Sequence, residues 1–249
     1  MPRRTLTVVV LLGALALTGC TSTTPAAPST TPAAPSTTPA APSTTPAAVV
    51  TAAPSGDGTL SIGTLFPTTG DNAASGAAQV AGTELALRDI LAEQATPTQP
   101  IQLVHRNSAG DLAAAYADLA ARGVDLVLWD ATTALPADAH SSVGSAALVS
   151  LGDFANGGTP LAADETFTAH LKTADPGLNA TAGGAEAYDG LITAALAAVI
   201  TGDDGGASLD AGWPQVISGT AVCLSWGECV YALGQEQTID YQGVTGRRS

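Results

Sequence analysis

Apolar positions between residues 60 and 154 follow two alternating periods. Leu60 to Phe66 is a short, nearly continuous apolar run that ends in Pro67-Thr68-Thr69-Gly70. It predicts a buried strand closed by a turn. From Asp71 or Asn72 the pattern changes to helical spacing, with Val80, Leu85, Leu87 and Ile90 on a background of small residues. The alternation then repeats. Ile101 to Arg106 predicts a second strand, Asp111 to Arg122 a helix, Val124 to Trp129 a third strand, Ala134 to Ser145 a helix and Ala147 to Phe154 a fourth strand. Strands joined through helices imply right-handed crossovers. The expected fold class is therefore α/β, three-layered, with a mostly parallel sheet and helices on both faces.

Before residue 58 no such periodicity exists. Arg3 and Arg4 precede an apolar run from Val8 to Leu17, and Leu17-Thr18-Gly19-Cys20 closes it in the manner of a bacterial lipobox. The run falls short of the roughly 20 residues that span a bilayer, so residues 1–19 are expected to be a lipoprotein signal peptide. Cleavage there leaves Cys20 as the lipidation site, which predicts an exported protein anchored at the outer face of the cytoplasmic membrane or in the cell wall. From Ser22 to Ala48 the heptad Ser-Thr-Thr-Pro-Ala-Ala-Pro recurs four times, the last copy without its final proline. A proline every third or fourth residue and no apolar face make residues 20–57 a polyproline-like linker. At about 3.1 Å per residue it reaches on the order of 100 Å when extended.

Residues 58–249 remain for one folded domain of ordinary size. The formal net charge is -14, and Lys172 is the only lysine. So acidic a chain repels phosphate backbones, which excludes nucleic acid as an expected partner. No G-x-G-x-x-G or P-loop follows the first strand, no G-x-S-x-G elbow occurs, and Ser141, Ser142 and Ser145 have no partner base nearby in sequence. His105, His140 and His170 lack metal-ligand spacing. Asp203-Asp204-Gly205-Gly206 resembles half a calcium loop without its closing Glu and reads as a solvated turn. Trp129, Trp213 and Trp226 read as core or interface aromatics. The expectation is a protein that is not an enzyme, with no cofactor and no metal. Cys223 and Cys229 lie six apart in a chain read as exported, which points to a disulfide; a metal pair would need further ligands nearby.

The first strand-turn-helix unit also resembles the opening of the type I extracytoplasmic solute-binding proteins of ABC transporters, the family that binds leucine, isoleucine, valine and related ligands. Ile62-Gly63, Leu65, Pro67, Thr69-Gly70, Gly76, Gly82, Glu84-Leu85-Ala86 and Ile90 carry the resemblance. Further on, Glu186-Ala187-Tyr188-Asp189 is similar to a late helix of that family, and Asp240-Tyr241-Gln242-Gly243-Val244-Thr245-Gly246 to its C-terminal turn in actinobacterial members. Between Phe154 and Phe167, where the family builds a second lobe, this chain has only a short connection. The resemblance thus implies a single lobe over residues 58–249. It implies a lipid-anchored receptor for branched-chain amino acids or a related small polar ligand, with an ABC permease as partner. The alternative is a one-lobe cell-surface interaction module without transport function.

In open α/β sheets ligands bind beyond the carboxyl ends of the strands. The expected ligand loops are therefore 67–75, 130–133 and 152–156, with Thr68, Thr69, Asn72, Ser75, Thr132 and Thr133 as candidate binding residues. The family holds its ligand's α-carboxylate and α-amino group there through backbone N–H groups and Ser or Thr hydroxyls. Trp129 and Asp130 stand where relatives often have Gly-Pro.

Overall fold

The computed structural model describes residues 53–93, 100–133, 135, 145–155 and 163–247. Strand β1 (Leu60–Phe66) enters the chain's apolar interior and pairs in parallel with β2 (Ile101–Asn107) on one side and β3 (Leu126–Trp129) on the other; β4 (Ala147–Ser150) extends the sheet beyond β3. The order is β2-β1-β3-β4, with every pairing parallel.

Pleating sorts the side chains by parity. Leu60, Ile62, Phe66, Leu126, Leu128, Ala147 and Val149 join the larger core, whereas Leu65 and Val127 join a smaller cluster with Tyr116 and Leu119 of helix α2 (Leu112–Ala121). The larger core is covered by α1 (Ala73–Ala92) and α4 (Gly184–Thr201), with α3 (Glu165–Ala174) beside α1 and α5 (Gly206–Val216) beside α4. Helices therefore lie on both faces of a parallel sheet, as the alternating periods imply. The expected helix over 134–145 falls almost wholly outside the described residues, as do Cys20, the linker repeats and His140.

Local chemistry sets the element ends. The Asp111 carboxylate accepts from the Ala114 amide at the start of α2, and that of Asp164 accepts from Phe167 at the start of α3. The fourth strand is shorter than its apolar run suggests. The Ser150 hydroxyl accepts from the Gly152 amide, and Leu151–Phe154 coils into a 3-10 turn. Side-chain capping has taken the place of the next ladder bond.

α1 and α4 cross at a pair of glycines. A Cβ on Gly82 would lie 2.2 Å from the Gly184 carbonyl oxygen, so only glycine permits this approach. After α5 come β5 (Ala221–Cys223), α6 (Trp226–Gly234) and β6 (Ile239–Tyr241), in which β5 and β6 form a second, two-stranded parallel sheet. A Cys223–Cys229 disulfide ties β5 to α6. Trp226 is buried in the main core, and Trp213 meets Phe154 edge-on at 5.9 Å.

One expectation is corrected. Asp203 and Asp204 are 7% and 1% exposed, not part of a solvated turn. Asp203 accepts hydrogen bonds from the Ser55 and Gly56 amides at 3.1 and 3.0 Å. It thereby ties the segment entering the fold to the start of α5.

Candidate functional site

β1 lies at the topological switch point. Its chain leaves toward β2 on one side, while β3, on its other side, leads away toward β4. Diverging connections open a crevice above the carboxyl ends of β1 and β3. The three neighbouring strand ends are held level: Ser108 N–H donates to the Phe66 carbonyl at 2.9 Å and Asp130 N–H to the Leu65 carbonyl at 3.1 Å.

On the β1 side, Asn107 organises the loop. Its Oδ1 accepts from the Thr68 amide at 3.0 Å, and its Nδ2 donates to Thr69 Oγ1 at 2.7 Å. Asn72 is exposed just before α1, where its carbonyl accepts from the Gly76 amide. Ser75 Oγ donates to the Ala182 carbonyl at 3.1 Å, which brings the connection leading into α4 against the first turn of α1.

On the β3 side, Asp130 is the hub. It is 2% exposed and accepts from Gln79 Nε2 at 2.5 Å, from the Thr132 amide at 3.0 Å and from the Thr132 hydroxyl. Thr133 Oγ1 donates to Ser108 Oγ at 3.3 Å, and the Thr133 amide to the Asp130 carbonyl at 3.0 Å. The structure thus places Thr68, Thr69, Asn72 and Ser75 on the β1 loop and the first turn of α1, and Thr132 and Thr133 beyond β3. The hydroxyls of Thr69, Ser75, Thr132 and Thr133 are each in a hydrogen bond within the chain, and Thr68 is held through its backbone amide.

Gln79 was not among the residues the motif pattern singled out. It is 1% exposed, its Oε1 has no hydrogen-bond partner, and a Cβ on Gly183 would lie 2.8 Å from its Nε2. The available signal was a lone amide in the run Ala77-Ala78-Gln79-Val80-Ala81, on the α1 stripe that also carries Gly82 and Ala86. Asp130 is visible in sequence only as a departure from Gly-Pro.

A second concavity of about 290 Å³ begins at Thr68 and follows the outer face of α1 past Ala73, Ala77, Val80 and Ala81, between Glu84 and the end of α3 at Ala174 and Asp175. Its walls are small and apolar and its ionisable lining is acidic. Glu84 Oε1 meets His105 Nε2 at 3.0 Å, and Thr64 Oγ1 meets His105 Nδ1 at 2.8 Å, so His105 is a satisfied histidine bridging β1 and α1. His170 lies 3.5 Å from Asp89. Three arginines have partners of their own, Arg88 beside the end of α3 and Arg106 and Arg122 on the α2 side of the sheet. Arg88 reaches the Thr173 carbonyl and hydroxyl, while Arg122 and Arg106 both bind Asp118 and hold its carboxyl below the ordinary range. Among the described residues, no group of three or more His, Cys, Asp or Glu side chains is arranged to hold a metal ion.

No protein-family model matches the chain, and no curated protein matches it. Solved structures to which it is similar include LivJ, the branched-chain amino acid transporter substrate-binding protein of Streptococcus pneumoniae, crystallised with isoleucine. Identity is 13% and the TM-score 0.39, with 77% of this chain and 91% of that chain covered. A superposition this loose assigns neither family nor ligand.

Proposed function

We propose that the protein is a lipid-anchored extracytoplasmic solute-binding protein that presents a branched-chain amino acid, or a related small polar solute, to an ABC permease. The observation that carries the reading is the switch-point crevice, where loops 67–72 and 130–133 meet beside the connection into α4. Open parallel sheets bind small ligands at this position. The lipobox ending at Cys20 and the proline-rich linker support tethering outside the cytoplasm. Thr69, Ser75, Thr132 and Thr133 then act through backbone groups and remaining lone pairs, because their hydroxyls already hold the loops together, while Thr68 and Asn72 offer their side chains directly.

A ligand that binds only the folded state stabilises it by about 2.7 kcal/mol at a hundred times its dissociation constant. For a domain of this size that raises Tm by roughly 5–10 °C. Thermal unfolding against amino acids, amides and short peptides tests the reading: a shift confined to one chemical class supports it, and an unmoved transition refutes it. Cys20→Ala is expected to move the protein from the membrane to the soluble fraction.

One observation favours the interaction-module reading. Val222, Leu224 and Tyr231 are 59%, 56% and 72% exposed on or beside β5 and α6, the segment stapled by the disulfide. Under that reading no solute moves the transition.

A further inference from the structure

We propose that the concavity along the outer face of α1 is a second binding site, which touches the switch-point crevice only at Thr68, and that it takes a small organic cation: an aliphatic chain ending in a primary ammonium. The inference does not rest on the solute-binding reading.

The cavity exists because the chain bridges α1 without covering it. α3 lies beside α1 as far as Ala174, where Asp175 leaves the helix in an extended conformation and its carboxylate accepts from the Gly177 amide at 2.8 Å. The connection is tied to α1 again at Ser75, through the Ala182 carbonyl. Between these ties Ala73, Ala77 and Val80 stay half-buried and, with Ala81, wall a space of about 290 Å³. From Ala73 to Glu84 the lining follows α1 for about 16 Å. So modest a volume drawn out along a helix suits one extended chain better than a compact body.

Small-molecule sites are mostly apolar, with a few polar groups that fix the ligand's orientation. Here those groups are Glu84 and Asp175, and they stand at the same end. Arg88, one turn beyond Glu84, reaches Thr173, two residues before Asp175. The Glu84 side chain is 51% exposed, and His105 meets only its Oε1, which leaves Oε2 to accept from a ligand. Asp175 gives one oxygen to the Gly177 amide and keeps the other. A carboxylate only accepts, and an ammonium carries three donors and no acceptor.

The surrounding charges agree in sign. Arg88 is fixed to Thr173, His105 approaches Glu84 from β2, and Lys172 is exposed on α3; none of the three enters the lining. With His105 neutral, the two carboxylates outweigh the one arginine, so a cation is attracted to this end and an anion repelled. A metal ion fits poorly, since among the described residues no group of three or more His, Cys, Asp or Glu side chains is arranged to hold one.

Isothermal titration calorimetry of the purified protein with n-pentylamine, 1-pentanol, pentanoate and a blocked Gly-Lys-Gly peptide tests the assignment. n-Pentylamine is expected to bind saturably at one site, about tenfold or more tighter than 1-pentanol, the scale of one hydrogen bond to a charged group. Pentanoate is expected not to bind. Equal binding of 1-pentanol or pentanoate, or no saturable binding of n-pentylamine, overturns the inference and leaves the solute-binding reading standing. Binding of the lysyl peptide alone overturns it in favour of a lysine side chain from a protein partner.

Two variants locate the site. Glu84→Gln keeps an acceptor for His105, removes the charge and is expected to weaken n-pentylamine binding by about tenfold. Ala77→Met fills the cavity from its wall and is expected to abolish binding, with a thermal melt showing that the variant is folded. If Ala77→Met does not fold, Glu84→Gln decides alone, because its half-exposed side chain is not part of the core. Affinity for n-pentylamine unchanged in Glu84→Gln, or retained in a folded Ala77→Met, overturns the placement.

Discussion

Asp189 is fully buried in α4 and receives four hydrogen bonds from the end of the chain: from Tyr241 Oη at 2.6 Å, the Val244 amide at 3.1 Å, the Thr245 amide at 2.7 Å and Thr245 Oγ1 at 2.6 Å. Gly243 closes the turn at φ +57°, and a Cβ there would stand 2.2 Å from the carboxylate. Asp189→Ala strands all four donors and is expected to cost about 3 kcal/mol or more in urea unfolding, whereas Thr245→Val, which removes one hydroxyl, costs about 1 kcal/mol. Asp125 sets a pH dependence. Desolvation raises its pKa to about 6, aided by the charges of Asp204, Asp57 and Asp203 and opposed by the Ser61 amide. The folded state thus holds a proton that the unfolded chain releases near its ordinary value of 3.8. The contribution of Asp125 to stability is greatest below that value and is lost as pH rises to about 6. Because the group is partly solvated, the effect is about 1 kcal/mol, well under the unscreened figure. Asp125→Asn is expected to flatten stability between pH 4 and 6 relative to wild type; parallel slopes in the two proteins would remove Asp125 as the cause.

Two contacts between elements carry predictions of their own. At the α1–α4 crossing, Gly82→Ala forces a methyl against the Gly184 carbonyl. Alanine is the better helix former by about 1 kcal/mol, yet overpacking at a backbone contact costs about 1–3 kcal/mol. Net destabilisation in a denaturant titration is expected, and a more stable variant would show that the helices can separate freely. Replacing Cys223 and Cys229 together by serine opens a small loop and is expected to cost about 2 kcal/mol, read as a fall in the denaturation midpoint. Much of this level was legible in the pattern. β1 occupies Leu60–Phe66 and β2 begins at Ile101, as their apolar runs indicate. The missed boundary is the end of β4, where the run continues through Leu151 and Phe154 but the Ser150 hydroxyl bends the backbone. Apolar character reports burial, and both a strand and a 3-10 turn can be buried.

For the whole molecule, the candidate site was legible in position but not in chemistry. Strand order places the β1 and β3 loops together, and Thr68, Thr69, Thr132 and Thr133 do lie at those strand ends. The hydroxyls of Thr69, Thr132 and Thr133 are nevertheless committed to Asn107, Asp130 and Ser108. Gln79 and Asp130 are 51 residues apart and become partners only when α1 folds over the sheet. The same holds for Asp203, whose carboxylate holds Ser55 and Gly56 from the far end of the fold. By itself the sequence determined the alternation of strands and helices, the parallel class of the sheet and the end of the sheet where the candidate loops lie, because these follow from periodicity and connection length. Tertiary structure decided which hydroxyls are engaged within the chain, which carboxylates are buried and which polar atoms are left unpaired. Those properties depend on distances between residues remote along the chain, and hydrogen bonds and Coulomb forces are set by distance, not by order in the sequence.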